Sequence, residues 1–118
     1  MVRTTPSLQQ DMTRQQQIDE IYHTIIREFD PDKLVLFGSE ARGCAGPDSD
    51  IDLLVVMPFT GSSIKQATKI YGSIDRRRIA VDLLVRTPEQ LREREMIGDV
   101  FFREVMSTGK VIHERTHA

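Results

Sequence analysis

Three aspartates lie in short apolar segments of the chain, where a carboxylate is unusual. Asp50 and Asp52 open the segment Asp-Ile-Asp-Leu-Leu-Val-Val-Met, and Asp82 lies within Ala-Val-Asp-Leu-Leu-Val. Alternate side chains of a strand share a face, so Asp50 and Asp52 should project together, with Cα atoms about 6.6–6.8 Å apart. The same alternation sets Asp82 opposite the apolar face of its own strand. A carboxylate in such surroundings is costly unless it is paired, hydrogen-bonded or bound to a metal.

The chemistry that three clustered carboxylates favour is the binding of a divalent cation. Negative charges crowded on one sheet face repel one another, and a cation is the usual remedy. Carboxylate oxygens are hard ligands, so they favour Mg²⁺ or Mn²⁺ over zinc. The predicted metal ligands are therefore Asp50, Asp52 and Asp82.

Gly38 and Ser39 form a second candidate for chemistry, a phosphate-binding turn. They follow the apolar run Lys-Leu-Val-Leu-Phe and precede a segment that could form a short helix. Free backbone N–H groups at a helix start, with the Ser39 hydroxyl, can meet phosphate oxygens. A Gly-Ser pair alone is a common turn. Combined at this spacing with the aspartates, it predicts a nucleotide site.

The elements that must position these residues follow from the apolar pattern. Apolar residues recur at three- and four-residue spacing over residues 15–29, which indicates one buried helical face. Short apolar runs predict strands at 33–37, 50–57 and 79–85, with a possible fourth at 110–113. Further helices are expected at 39–43, at 64–75, from 87 onwards and at 99–107. This order predicts a two-layer α/β (α+β) domain, a small mixed β-sheet covered by helices.

The same pattern predicts the core. Ile51, Leu53 and Val55 are expected to point inward from the second strand. The apolar stripes of the helices, including Met96, Phe101 and Met106, are interpreted as core packing.

Length and composition indicate one domain. The chain has 118 residues, so we expect residues 15–118 to form a single domain and residues 1–14 a flexible N-terminal segment. The sequence contains neither a membrane-length apolar run nor a signal-type stretch, which predicts a soluble, cytoplasmic protein. Its net charge of −2 gives no support for nucleic-acid binding. A single cysteine, Cys44, cannot form an internal disulfide.

Two further patterns have ordinary explanations. Asp48, Asp50 and Asp52 match the first, third and fifth positions of a calcium-binding EF-hand loop. Leu53 and Phe59, however, stand where that loop needs glycine and glutamate. The arginines of residues 76–78 are interpreted as a solvated corner, with contact to an acidic partner or RNA as the alternative.

The spacing of these motifs resembles a known superfamily. Gly38-Ser39, ten further residues and then Asp50-Ile51-Asp52 resemble the signature of the DNA polymerase β nucleotidyltransferases. The segments Phe-Gly-Ser-Glu-Ala-Arg-Gly and Ser-Asp-Ile-Asp-Leu are most similar to the minimal nucleotidyltransferases (MNT) of prokaryotic HEPN/MNT toxin–antitoxin pairs. The match is specific over residues 34–56 and is supported by Asp82.

The resemblance implies a reaction and a partner. It implies the polymerase β-like nucleotidyltransferase fold, with two metal ions held by Asp50 and Asp52. Asp82 would complete one metal site and orient or deprotonate the attacking hydroxyl. Arg42 would assist Gly38 and Ser39 in binding the nucleotide. The expected reaction moves AMP from ATP to a tyrosine hydroxyl of a HEPN-domain toxin, as a modifying antitoxin would.

Two other functions stay open. The chain could be a non-catalytic nucleotide-binding antitoxin that occludes its partner. A nucleotidyltransferase acting on an antibiotic is less favoured, because the chain has no room for a substrate-binding domain. The nucleotide base and the oligomeric state are not fixed by the sequence.

Overall fold

The computed structural model describes residues 12–116, so most of the segment expected to be flexible lies outside the described residues. The helices are α1 (Arg14–Phe29), α2 (Gly38–Ala41), α3 (Ser63–Tyr71), α4 (Pro88–Met96) and α5 (Val100–Thr108). The strands are β1 (Lys33–Phe37), β2 (Ile51–Val56), β3 (Val81–Arg86) and β4 (Lys110–Glu114).

Local sequence signals set several helix ends. Thr13 caps α1 in a reciprocal capping box with Gln16, which satisfies backbone N–H groups that the first turn leaves free. Thr87 and Gln90 form a second capping box, at the start of α4. Helix α3 ends at Tyr71, four residues before the predicted end, because glycine follows it and has low helix propensity.

The four strands form one mixed sheet in the order β3-β2-β1-β4. Strand β1 is antiparallel to β2 and to β4, whereas β2 and β3 are parallel. Helix α3 lies in the crossover between the two parallel strands. The predicted fold class, a small mixed sheet covered by helices, is confirmed.

Helices cover both faces of this sheet. The larger core packs α1 and α3 against one face, where Ile51, Leu53 and Val55 are fully buried as predicted. Leu54 and Val56 point to the other face of the sheet. The sequence pattern did not predict that this face is buried. Both residues pack there with side chains of α4 and α5, namely Leu91, Phe102 and Val105. The apolar run of β2 is nearly continuous because both faces are covered.

Strand β3 forms one edge of the sheet, and a side chain covers part of that edge. The hydroxyl of Tyr71, at the end of α3, accepts a hydrogen bond of 2.8 Å from the backbone N–H of Leu83. The guanidinium of Arg76 lies 4.6 Å from the centroid of the Tyr71 ring. Arg77 pairs with Asp75 at 3.0 Å, so the arginine corner is partly neutralised within the chain.

Within residues 12–116, no helix is both long enough and apolar enough to cross a bilayer.

Candidate functional site

A row of three side chains crosses the sheet where β1 ends and where β2 and β3 begin. Phe37 is the register partner of Asp52, and Asp52 is the register partner of Asp82. Register partners point to the same side of a sheet, so all three lie on the face that α4 and α5 partly cover. The structure therefore brings Asp52 and Asp82 together, as the sequence predicted.

The electrostatics of this row are set by crowded carboxylates. Burial raises the pKa of Asp52 above its ordinary value, and the charges of Asp82 and Asp50 and a side-chain hydrogen bond with Asp82 raise it further. The positive charge of Arg42 acts in the opposite direction. Three predicted site residues thus act on the carboxylate of a fourth, Asp52.

Asp82 is exposed, although its apolar segment indicated costly surroundings for a carboxylate. The side chain is exposed because β3 is an edge strand and Asp82 is only its second residue. Asp50, which lies just before β2, is exposed as well, whereas Asp52 is partly buried. The carboxylate cluster is therefore open to solvent on the side of Asp50 and Asp82.

Gly38 places the turn that the sequence predicted to bind phosphate directly against Asp52. Its φ of +76° lies in the left-handed region, which a residue with a Cβ adopts only at a cost. A Cβ at this position would also overlap Oδ2 of Asp52. Only glycine suits both the backbone conformation and the contact. The turn and the carboxylate are consequently in van der Waals contact across the two strands.

Within residues 12–116, no side chain caps the start of this turn. Phe37 is the N-cap residue of α2, and its aromatic side chain cannot accept hydrogen bonds from the first N–H groups of the helix. Ser39 is partly buried in the first turn. Arg42, at the end of α2, is exposed and donates its backbone N–H to the carbonyl of Gly38. The backbone of Gly38 and the charge of Arg42 therefore lie near the Asp52 carboxylate.

A groove of about 250 Å³ borders the turn. Phe101 lies in it with 51% of its surface exposed, and its ring meets that of Phe37 edge-on at 6.0 Å. The groove is lined by Phe37, Gly38 and Arg42 on one side and by Phe101, Glu104, Val105 and Thr108 of α5 on the other.

The interpretation of Phe101 and Met96 as core residues was wrong. Phe101 is half-exposed and Met96 is 86% exposed, whereas Phe102 is 4% exposed. The signal was the pair Phe101-Phe102, because adjacent helical residues cannot both face inward.

Comparison with protein families identifies the family of this domain. The model of the nucleotidyltransferase domain family matches residues 18–107, which include every predicted site residue. The chain belongs to the nucleotidyltransferase domain family. Comparison with curated protein sequences gave no significant match.

Solved structures agree with this nucleotidyltransferase fold. A candidate nucleotidyltransferase from Sulfolobus solfataricus is similar with a TM-score of 0.60 and 19% identity, over 98% of this chain and 93% of that one. The crystal structure of a toxin–antitoxin with AMP-PNP is similar with a TM-score of 0.54 and 24% identity, over 88% and 76% respectively. At these identities the likeness shows the fold.

The donor set of the nucleotidyltransferase site fits a divalent cation by its chemistry. Within residues 12–116, no three His, Cys, Asp or Glu side chains already surround a common metal position. Burial raises the pKa of Asp52, and the crowding of negative charge from Asp82 and Asp50 raises it further. A hard cation such as Mg²⁺ or Mn²⁺ would offset that crowding. Asp50, Asp52 and Asp82 are the residues that would hold it.

Proposed function

We propose that this nucleotidyltransferase is a cytoplasmic antitoxin that moves AMP from ATP to a hydroxyl of a HEPN-domain toxin. The observation that carries the proposal is the contact of Gly38 with the Asp52 carboxylate. It supports the proposal because a residue proposed to bind phosphate lies against a residue proposed to hold the metal.

The proposed roles follow from the chemistry of each group. The N–H groups of Gly38 and Ser39, the Ser39 hydroxyl and Arg42 bind phosphate oxygens. Asp50, Asp52 and Asp82 hold Mg²⁺ or Mn²⁺. When bound, the metal neutralises charge on the α-phosphate and on the departing pyrophosphate.

The proposed transfer forms one bond to phosphorus, breaks another and releases one proton from the acceptor hydroxyl. A bond forms between the acceptor oxygen and the α-phosphorus, and the bond to the β-phosphate bridging oxygen breaks. The hydroxyl proton passes to a nearby base, for which Asp82 is the candidate. Its exposure on an edge strand suits this role, because a hydroxyl on a separate protein can reach it.

The choice of nucleotide and partner rests on two kinds of similarity. The fold is similar to that of a toxin–antitoxin solved with AMP-PNP, which supports an adenine nucleotide and a toxin partner. The HEPN class of toxin and the tyrosine acceptor follow from the sequence resemblance alone.

Labelled ATP tests the transfer. We expect a HEPN toxin encoded beside this chain to gain label from α-labelled ATP with Mg²⁺, but none from γ-labelled ATP. Transfer of the γ-label would indicate a kinase. Absence of both labels from a neutralised toxin would contradict the transfer.

A second candidate, occlusion without transfer, is favoured by an exposed apolar patch. Met96, Ile97, Val100 and Phe101, around the turn between α4 and α5, are each at least half-exposed. Such a patch is typical of a protein-binding surface. Occlusion predicts that a variant lacking Asp50 and Asp52 neutralises the toxin as well as the unchanged chain does.

We further propose that the base of the nucleotide lies in the groove beside Phe101. Aromatic stacking on a base contributes roughly 1–3 kcal/mol, so Phe101→Ala should weaken ATP binding by about fivefold or more. Inorganic tripolyphosphate has no base, and its affinity should change by less than about twofold. Calorimetry with Mn²⁺ measures both. Val100→Ala, which truncates an exposed neighbour, is the matched control. Equal losses for the two ligands would contradict the base site.

A further inference from the structure

Arg14, the first residue of α1, is far from the site in sequence but bonds to the segments that form it. Its Nη2 donates to Oε1 of Glu40 at 2.9 Å and to the carbonyl of Ser49 at 2.8 Å. Its Nη1 donates to the carbonyl of Pro47 at 3.2 Å, and its Nε to Glu40 at 3.3 Å. With side-chain exposures of 27% for Arg14 and 20% for Glu40, the pair is partly shielded from water.

The partners of Arg14 occupy telling positions. Glu40 directly follows Ser39 in the phosphate-binding turn, and Ser49 directly precedes Asp50. Pro47 lies in the irregular loop that joins the two. A single guanidinium thus bridges the end of the turn and the start of the carboxylate strand. We propose that Arg14 is a positioning residue, which holds the phosphate-binding turn and the metal-binding carboxylates at a fixed separation.

The geometry suits arginine in particular. A guanidinium offers five N–H donors in a rigid plane, so it can serve one carboxylate and two carbonyls at once. The ammonium group of lysine is a compact point charge with three donors on a flexible stem. The Lys substitution would keep the positive charge but could not donate hydrogen bonds to Glu40, Pro47 and Ser49 in the same directions. The positioning role therefore predicts that lysine is a poor substitute.

Arg14 also neutralises the negative charge of Glu40 near the site. Glu40 places a negative charge one residue from Ser39, where it would repel a triphosphate. The charge is felt locally, because Glu40 contributes to raising the pKa of Tyr22 to about 12, after the larger effect of burial. Pairing with Arg14 offsets that charge. Loss of Arg14 would both loosen the loop and leave Glu40 unpaired beside the phosphates.

The inference rests on the proposed function for its catalytic consequence, and its test includes measurements that do not require transfer. Arg14→Ala and Arg14→Lys would be compared with Arg27→Ala in the full chain. Arg27 lies on the same helix in an ion pair with Glu28, with side chains 67% and 51% exposed. The readouts are amide hydrogen exchange over residues 43–50, Mn²⁺-ATP affinity, and kcat and KM for transfer.

We expect Arg14→Ala to speed exchange in residues 43–50 by about tenfold or more and to lower kcat/KM similarly, with Arg14→Lys recovering less than half. Arg27→Ala should stay within about twofold of the unchanged chain. Glu40→Gln removes the charge but keeps an oxygen acceptor for Arg14, so it should retain ATP affinity. It takes the place of Arg14→Ala in the comparison if Arg14→Ala does not fold. Unchanged loop exchange and ATP affinity in folded Arg14→Lys, or full rescue by lysine, would overturn the proposal. If the unchanged chain transfers nothing, loop exchange and ATP affinity still decide the role of Arg14.

Discussion

Replacing Asp50 and Asp52 together by asparagine should abolish nucleotide transfer, with a loss of about a thousandfold or more. Asparagine keeps the shape of aspartate and removes the charge that would hold a divalent cation. The measurement is the rate at which α-labelled ATP modifies the partner. Residual transfer above about a tenth of the original rate would show that these carboxylates are not the metal ligands.

Stability provides the control for this variant. Burial and, to a smaller extent, the neighbouring carboxylates raise the pKa of Asp52, which means that the charged form of Asp52 is disfavoured in the folded chain. Asparagine relieves that repulsion, so without metal the variant should unfold at a temperature no lower than the unchanged chain. A marked drop in the unfolding temperature would mean that lost activity reports lost structure.

Gly38→Ala should remove nucleotide binding almost completely. The backbone at Gly38 has a φ of +76°, and the added methyl would overlap Oδ2 of Asp52. Either the turn or the carboxylate must move, so we expect ATP affinity in calorimetry to fall by about a hundredfold, that is by roughly 2.7 kcal/mol.

Gly61→Ala separates backbone strain from the contact. Gly61 has a comparable φ of +85°, and among the described residues no atom lies within 4 Å of an added Cβ. The free energy of unfolding of Gly61→Ala should fall by only the roughly 1–2 kcal/mol that a left-handed residue costs. Its ATP affinity should be unchanged. If both variants bind ATP normally, the contact at Gly38 has no role in nucleotide binding.

Local signals in the sequence predicted much of the fold. The helix start at residue 87, the short strands and the spacing of Gly38-Ser39 from Asp50 are readable, because each depends on neighbouring residues. The fold class followed from the order of strands and helices. The membership of the family is shown, whereas the roles of the individual site residues stay predictions.

Long-range pairing accounts for what the sequence did not predict. The sequence predicted that Asp52 and Asp82 cluster, but not that Phe37 lies in the same row, since strand register depends on partners far apart in sequence. The exposure of Asp82 follows from the edge position of β3, and the exposure of Phe101 from where α5 docks. The contacts of Arg14 span 26 to 35 residues, beyond the reach of any local pattern.

The hydrogen bond between Tyr71 and Leu83 has a consequence for how other chains can associate with this one. A free sheet edge invites a further strand, and that is how many proteins aggregate. The Tyr71 hydroxyl already occupies the N–H of Leu83, and Arg76 sets a positive charge beside the same edge. A strand from another molecule would have to displace both. A protein that reaches Asp82 would therefore approach over the face of the sheet and not extend the sheet with a strand of its own.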